Sequence, residues 1–167
     1  IRGYGRSTKM TEPFPLNDMC DDVVGVMSDL GLTRAVLGGC SVGSGTALLL
    51  ALDHPELFDA LFLVGGNSGA SSRYQRRIDG YVSDLPSYHI KHMRELVSDT
   101  FAESERGAHL LNMFAERGPR LKGDAIAQVF AAGNSTATTE RLPEMKVPTL
   151  VINGEYDHSL PAGQRTA

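Results

Sequence analysis

A chain of 167 residues with 41% hydrophobic content can bury one real core, so a globular domain is the starting expectation. The formal charge of −4 is mild and its acidic and basic residues are interspersed, which excludes the clustered basic face that nucleic acid requires. No apolar run approaches the roughly 20 residues that cross a bilayer, which argues against a membrane partner. The two cysteines, Cys20 and Cys40, lack zinc-site spacing and are too few for a disulfide framework. They read as reduced thiols in a reducing, cytoplasmic setting. The first residue is Ile1 and not Met, so the sequence is read as partial, and an upstream signal peptide stays open.

In chain order, Arg2–Ser7 is a glycine-punctuated loop, followed by Pro13 and Pro15. Asn17 or Asp18 then offers a cap for a helix over Met19–Leu30, whose apolar residues Met19, Val23, Val26, Met27 and Leu30 recur at helical spacing until Gly31. Ala35–Gly39 reads as a short buried strand, Val42–Leu52 as an apolar helix closed by His54-Pro55, and Ala60–Val64 as a second buried strand ending at Gly65-Gly66. After Asn67 the composition turns more polar. Helical patches fall near Tyr74–Leu85, Ile90–Phe101, Ala108–Arg117 and Ala125–Ala132, with Gly133-Asn134-Ser135-Thr136 as a loop. Thr149–Asn153 is a third buried strand, and Gly154–Asp157 the loop at its C-terminal end.

Strand, helix, strand, helical block, strand is the order of an α/β protein with parallel strands joined by crossovers. Strands without apolar alternation predict a sheet covered on both faces. The helical block is an insertion between the second and third strands.

Gly39-Cys40-Ser41-Val42-Gly43 matches G-x-S-x-G, directly after a buried strand and directly before an apolar helix. That context makes the pattern a nucleophile elbow. A turn this sharp holds Ser41 in a strained backbone conformation and lifts its hydroxyl into a cleft, while Gly39 and Gly43 supply the small residues that the crowding demands. The helix N-terminus favours developing negative charge, and the Val42 N–H can donate to an oxyanion. Cys40 is a rival nucleophile, but an elbow centred on it would put Val42 where a small residue is needed. Cys40 is therefore expected to be a packed neighbour.

Three segments resemble the α/β-hydrolase fold family. Arg2-Gly3-Tyr4-Gly5-Arg6-Ser7 looks like its R-G-x-G-x-S loop, Leu37 to Pro55 like its elbow and following helix, and Val147-Pro148-Thr149 to Asp157 like its P-T-L-V-I-x-G-x-x-D segment. The resemblance, nearest to single-cap esterases, lactone hydrolases and carbon–carbon bond hydrolases, implies two core parts at residues 1–66 and 144–167 around a helical cap at 67–143. The family's triad runs Ser, Asp, His in chain order. Carried over, Ser41 is the nucleophile and Asp157 the acid, with Glu155 a surface residue beside it.

The base is not found. His158 adjoins the acid and is poorly placed to serve it, His54 ends a helix, and His89, His92 and His109 fall in the expected cap. His89 and His92, three apart, could share a metal face, but no third ligand is evident and no metal or cofactor is expected. By the resemblance, the histidine and the first oxyanion donor belong to segments outside this sequence, and the sheet is expected to show two open edges prone to self-association.

The reading is a serine hydrolase acting through an acyl-enzyme on a small ester, lactone or activated carbonyl, and inactive as this chain alone. A non-catalytic small-molecule receptor or inert remnant is the alternative, as is an acyltransferase or cofactor-free peroxidase using the same serine.

Overall fold

The computed structural model describes every residue except 11, 67, 69–71, 84, 118–122 and 135–137, and only the backbone of 72, 73, 85, 86, 115, 117, 123, 124 and 162. The first helix, α1, spans Leu16–Asp29. It begins before the expected Met19, and its N-cap is Pro15, with no side-chain cap from Asn17 or Asp18. The reason is Arg2. Its guanidinium donates to Asp18 Oδ2 at 2.6 Å and to both oxygens of Asp22 at 2.7 and 2.8 Å. Two carboxylates one turn apart thus clamp the N-terminal loop onto the helix, and the same guanidinium lies 5.3 Å over the Phe14 ring. The bond to Arg2 holds the Asp22 carboxyl below its ordinary value.

Three strands follow in register: β1 (Ala35–Cys40), β2 (Phe58–Val64) and β3 (Thr149–Ile152) form a parallel sheet in the order β1-β2-β3. Parallel strands need crossovers, and the first is α2 (Val42–Asp53). This helix is apolar on all sides because it is enclosed on all sides: Val42, Ser44 and Thr46 to Leu52 are buried between the sheet, α1 and the helical block. Leu50 is wholly inaccessible, and burial beside this helix pushes the Cys20 thiol up to about 12.

Only one face of the sheet is covered, where both were expected. Leu61 and Leu63 are each 2% exposed on the α2 side, whereas Val36, Phe62, Leu150 and Ile152, facing the other way, are 44–61% exposed. Register explains the division, because Phe62 lies beside Gly38 and Leu150, so the outward residues of adjacent strands share a face. The apolar runs are legible in the sequence; what covers each face is not. Among the described residues, the outer edges of β1 and β3 carry no neighbouring strand. A groove of about 890 Å³ runs along the β1 edge between the N-terminal loop and α1.

Among the described residues, five α-helices lie between β2 and β3: α3 (Ser72–Ser83), α4 (Leu85–Arg94), α5 (Asp99–Glu103), α6 (Glu105–Arg117) and α7 (Gly123–Asn134). The helix expected over Ile90–Phe101 is two helices, because Ser98 caps α5 by accepting from the Phe101 amide at 3.1 Å. The expected loop at 133–136 begins inside α7, and Ser135 and Thr136 lie outside the described residues, as does Asn67 at the expected start of the block. Its two ends are clasped. The Thr138 amide and hydroxyl both donate to the Ser68 carbonyl, at 2.7 and 2.6 Å. A 3-10 turn at Thr139–Glu144 and a terminal helix, α8 (Leu160–Thr166), complete the chain.

The one-sided sheet makes a contrast testable by urea denaturation. Leu50→Ala should cost about 2–5 kcal/mol, a fully buried leucine's cavity penalty. Leu150→Ser should stay within about 0.5 kcal/mol. Equal losses would mean that both faces are buried.

Candidate active site

The turn from β1 into α2 holds the sharpest backbone feature of the chain. Ser41 has φ 55° and ψ −121°, the only positive φ outside glycine among the described residues. A serine persists there only if its surroundings overdetermine it. Its amide donates to the Val64 carbonyl of β2 at 2.9 Å, and its carbonyl accepts from the Ser44 amide at 2.9 Å. Ser44 tightens the bend from below, its hydroxyl donating to the Gly39 carbonyl at 2.8 Å. Gly39 is required by close approach: a Cβ on it would collide with the Gly43 carbonyl. Gly43 is different from expectation. A Cβ there meets nothing within 4 Å, so the crowding is one-sided.

Ser41 is exposed and, although at the helix N-cap, gives its side chain to no cap bond. Its hydroxyl is therefore not spent on the helix. Val42, the first helical residue, has an amide with no acceptor within the helix. Its side chain is buried, packed 3.3 Å from the position a Cβ on Gly133 of α7 would take. Cys40 is exposed, not the packed neighbour expected, because it ends β1 on the uncovered face.

Asp157 lies beyond β3, at the same C-terminal end of the sheet. Its Oδ1 accepts from the Ser159 amide at 2.8 Å, and its side chain is 18% exposed. Glu155 is exposed, as expected. The other carboxylate oxygen faces Gly65, where a Cβ would stand 3.1 Å from Oδ2 and where φ is +57°, a conformation natural to glycine. Ser41 and Asp157 thus follow the two outer strands of three, with β2 between them.

All five histidines are described, and each is committed elsewhere or exposed. His54 sits 3.6 Å from Glu56. His89 and His92 both turn Nδ1 to the Tyr81 hydroxyl, at 3.1 and 2.7 Å, so their shared face is a hydrogen-bonded aromatic cluster with Phe130. Burial drives the His92 imidazole down to about 3, helped by the nearby Arg77 cation. His109 is exposed. His158 Nε2 accepts from Arg77, and its Nδ1 is 3.7 Å from Asp157 Oδ1. Among the described residues no group of three or more potential metal ligands converges.

Arg77 and Tyr81 were not singled out by motif. Their signal lay in spacing: Tyr74, Arg77, Ile78 and Tyr81 fall on one helical face, so an arginine occupies the buried stripe of α3.

A match to known proteins settles what this arrangement belongs to: residues 1–166 fit the alpha/beta hydrolase fold family. The chain belongs to the α/β-hydrolase fold family. A 2-hydroxy-6-oxononadienedioate/2-hydroxy-6-oxononatrienedioate hydrolase of Pseudomonas sp is 31% identical over 145 residues, covering 82% of this chain and 51% of that protein. A Caulobacter segnis protein assigned as the carbamate hydrolase RutD is 39% identical over 92 residues, 54% of this chain and 34% of its own. The enol-lactonase from Burkholderia xenovorans LB400 superposes with a TM-score of 0.89 at 22% identity, covering 99% of this chain and 65% of that structure, a likeness of fold. The chain spans about half or less of the length of these curated relatives.

Two outcomes follow from the α/β-hydrolase elbow and its histidines. Gly39→Ala should destabilise by about 1–3 kcal/mol through overpacking, and Gly43→Ala should be near neutral, read as paired thermal melts. A similar loss at both would place the crowding elsewhere. His92 is neutral when folded, with its pKa depressed below the unfolded 6.5, so the unfolded state takes up the proton as pH falls from 6.5 toward about 3. At pH 5 this removes about 2 kcal/mol of stability. The drop between pH 7 and pH 5 should therefore be smaller in His92→Gln; an undiminished drop would contradict the assignment.

Proposed function

We propose that this chain carries the nucleophile and the acid of a serine hydrolase, Ser41 and Asp157, acting on a small ester, lactone or activated ketone. The observation that carries the reading is the non-glycine positive φ at Ser41, whose exposed hydroxyl is free of its own helix. Strain of that kind, about 1–3 kcal/mol, is retained where it serves a site. In the proposed step Ser41 Oγ attacks the substrate carbonyl carbon and its proton passes to an imidazole. The Val42 amide stabilises the oxyanion, with the N-terminus of α2 behind it. Collapse expels the leaving group, which takes the proton, and water then clears the acyl-enzyme.

Ser41 and Asp157 follow strands two places apart, a strand separation of roughly 9–10 Å, so that an imidazole between them can bond side chains reaching inward from each. None of the five described histidines is positioned there, and the proposed step takes its base, like its second oxyanion donor, from outside this chain. The names of the relatives support the substrate class, since an enol lactone and a hydroxy-oxo-dienedioate both present an activated carbonyl. The aromatic residues Tyr74 and Phe130, 5.9 Å apart on α3 and α7 beside Val42, favour a small and fairly apolar substrate.

The absence of a base at Ser41 also favours a second reading, a receptor or inert remnant that keeps the fold. Supplying the base from solution separates the two. The 167-residue chain should hydrolyse a p-nitrophenyl ester barely above Ser41→Ala, and added imidazole should raise the rate of the unsubstituted chain above that of Ser41→Ala. An imidazole response identical in both proteins would defeat the hydrolase reading. Robust turnover without imidazole would reveal a base among the five histidines.

A further inference from the structure

The least expected charge in the molecule is Arg77. It lies on α3 with only 4% of its side chain exposed, although arginine is almost never fully buried without partners. Its Nη2 has two. One is Glu95 Oε2 at 2.8 Å, just past the end of α4 within the helical block. The other is His158 Nε2 at 3.1 Å, on the loop that follows β3. A guanidinium only donates, so His158 Nε2 must accept, and in the neutral ring the single proton then resides on Nδ1. That nitrogen is 3.7 Å from Asp157 Oδ1, an electrostatic approach longer than a hydrogen bond, to the same oxygen that accepts from the Ser159 amide. One buried cation therefore fixes the tautomer of a histidine whose neighbour is the acid.

From this geometry we infer that Arg77 is a positioning residue for Asp157: acting through His158, it ties the helical block to the loop bearing the acid and holds the carboxylate in its bond to Ser159. The inference rests on the reading of Asp157 as the acid. Glu95 compensates the buried charge and orients the guanidinium, so the tie is built from the helical side and received by the core. It also removes His158 as a base, since the nitrogen facing away from Asp157 has its lone pair engaged by Arg77.

The test uses the 167-residue chain and needs no turnover. Imidazole 15N spectra at neutral pH should show His158 with its proton on Nδ1. Amide hydrogen exchange at Ser159 should accelerate by about tenfold or more in Arg77→Met, while Leu63 in β2 keeps its protection, because one charged hydrogen bond has been lost and not the fold. His158→Leu should give the same acceleration at Ser159, and the double variant should add nothing further, since both single changes break one chain of contacts. His158→Leu leaves the Arg77–Glu95 ion pair in place at a partly exposed position, so if Arg77→Met fails to fold, Ser159 in His158→Leu decides alone. A proton on Nε2 of His158, or unchanged Ser159 protection in folded His158→Leu, would overturn the tie. Failure of imidazole to act through Ser41 would instead remove the hydrolase reading and leave these spectra unaffected.

Discussion

Everything at the C-terminal end of the sheet depends on the bend between β1 and α2. Ser41 is held at φ 55° because neighbours on three sides leave it no other conformation. The β2 carbonyl of Val64 takes its amide, the Ser44 hydroxyl bonds the Gly39 carbonyl beneath it, and the Gly39 backbone lies against the Gly43 carbonyl. The support is itself fixed by burial: Ser44 is 1% exposed, and the helix that contains it is buried from Thr46 to Leu52. The strain is thus supported by the core and concentrated at an exposed side chain.

Around that bend, arginines join segments that the sheet does not. Arg2 binds the N-terminal loop to α1, Arg141 spans from the 3-10 turn after the helical block to Asp53 at the end of α2, and Arg77 reaches from α3 to the loop after β3. They differ in weight. Arg141 is partly exposed and its pairs with Asp53 and Glu144 are screened by solvent, so it contributes little. Arg77 is desolvated, and removing Glu95 would leave its buried charge uncompensated, which makes this joint the stiffer one. The clasp between Ser68 and Thr138 acts alongside it, closing the ends of the inserted helices with neutral hydrogen bonds.

The parts of this architecture that were readable in the sequence are those governed by local rules. Apolar runs gave three strands at nearly their observed bounds, and G-x-S-x-G between a strand and a helix located the strained serine, because both depend on residues close in sequence. Where distant residues compete, local reading failed. Asp18 reads as a cap and instead answers Arg2; Ile90–Phe101 reads as one helix, but α4 stops at Arg94 and the Ser98 hydroxyl starts another; Cys40 reads as packed but lies on a face without cover. The role of Arg77 could not be inferred from spacing alone, since its partners Glu95 and His158 are brought to it by the fold.

The same distinction applies at the end of β2, between the strands that lead to Ser41 and to Asp157. The middle strand ends in Gly65-Gly66, and neither residue can carry a side chain without consequence: on Gly65 it would abut Asp157 Oδ2, and on Gly66 it would strike the Ser44 side chain that supports the bend. Glycine at both positions therefore lets the end of β2 lie close to both neighbours, with the Gly65 N–H donating to the Ile152 carbonyl and the Val64 carbonyl accepting from the Ser41 N–H. Two of the histidines are held by the fold. His92 is desolvated and bonded to Tyr81, which holds it neutral far below the range where a general base works, and His158 is turned to Arg77. The glycine pair and the histidines have one thing in common: each is fixed by a close neighbour, Gly65 and Gly66 by Asp157 and Ser44, and His92 and His158 by Tyr81 and Arg77.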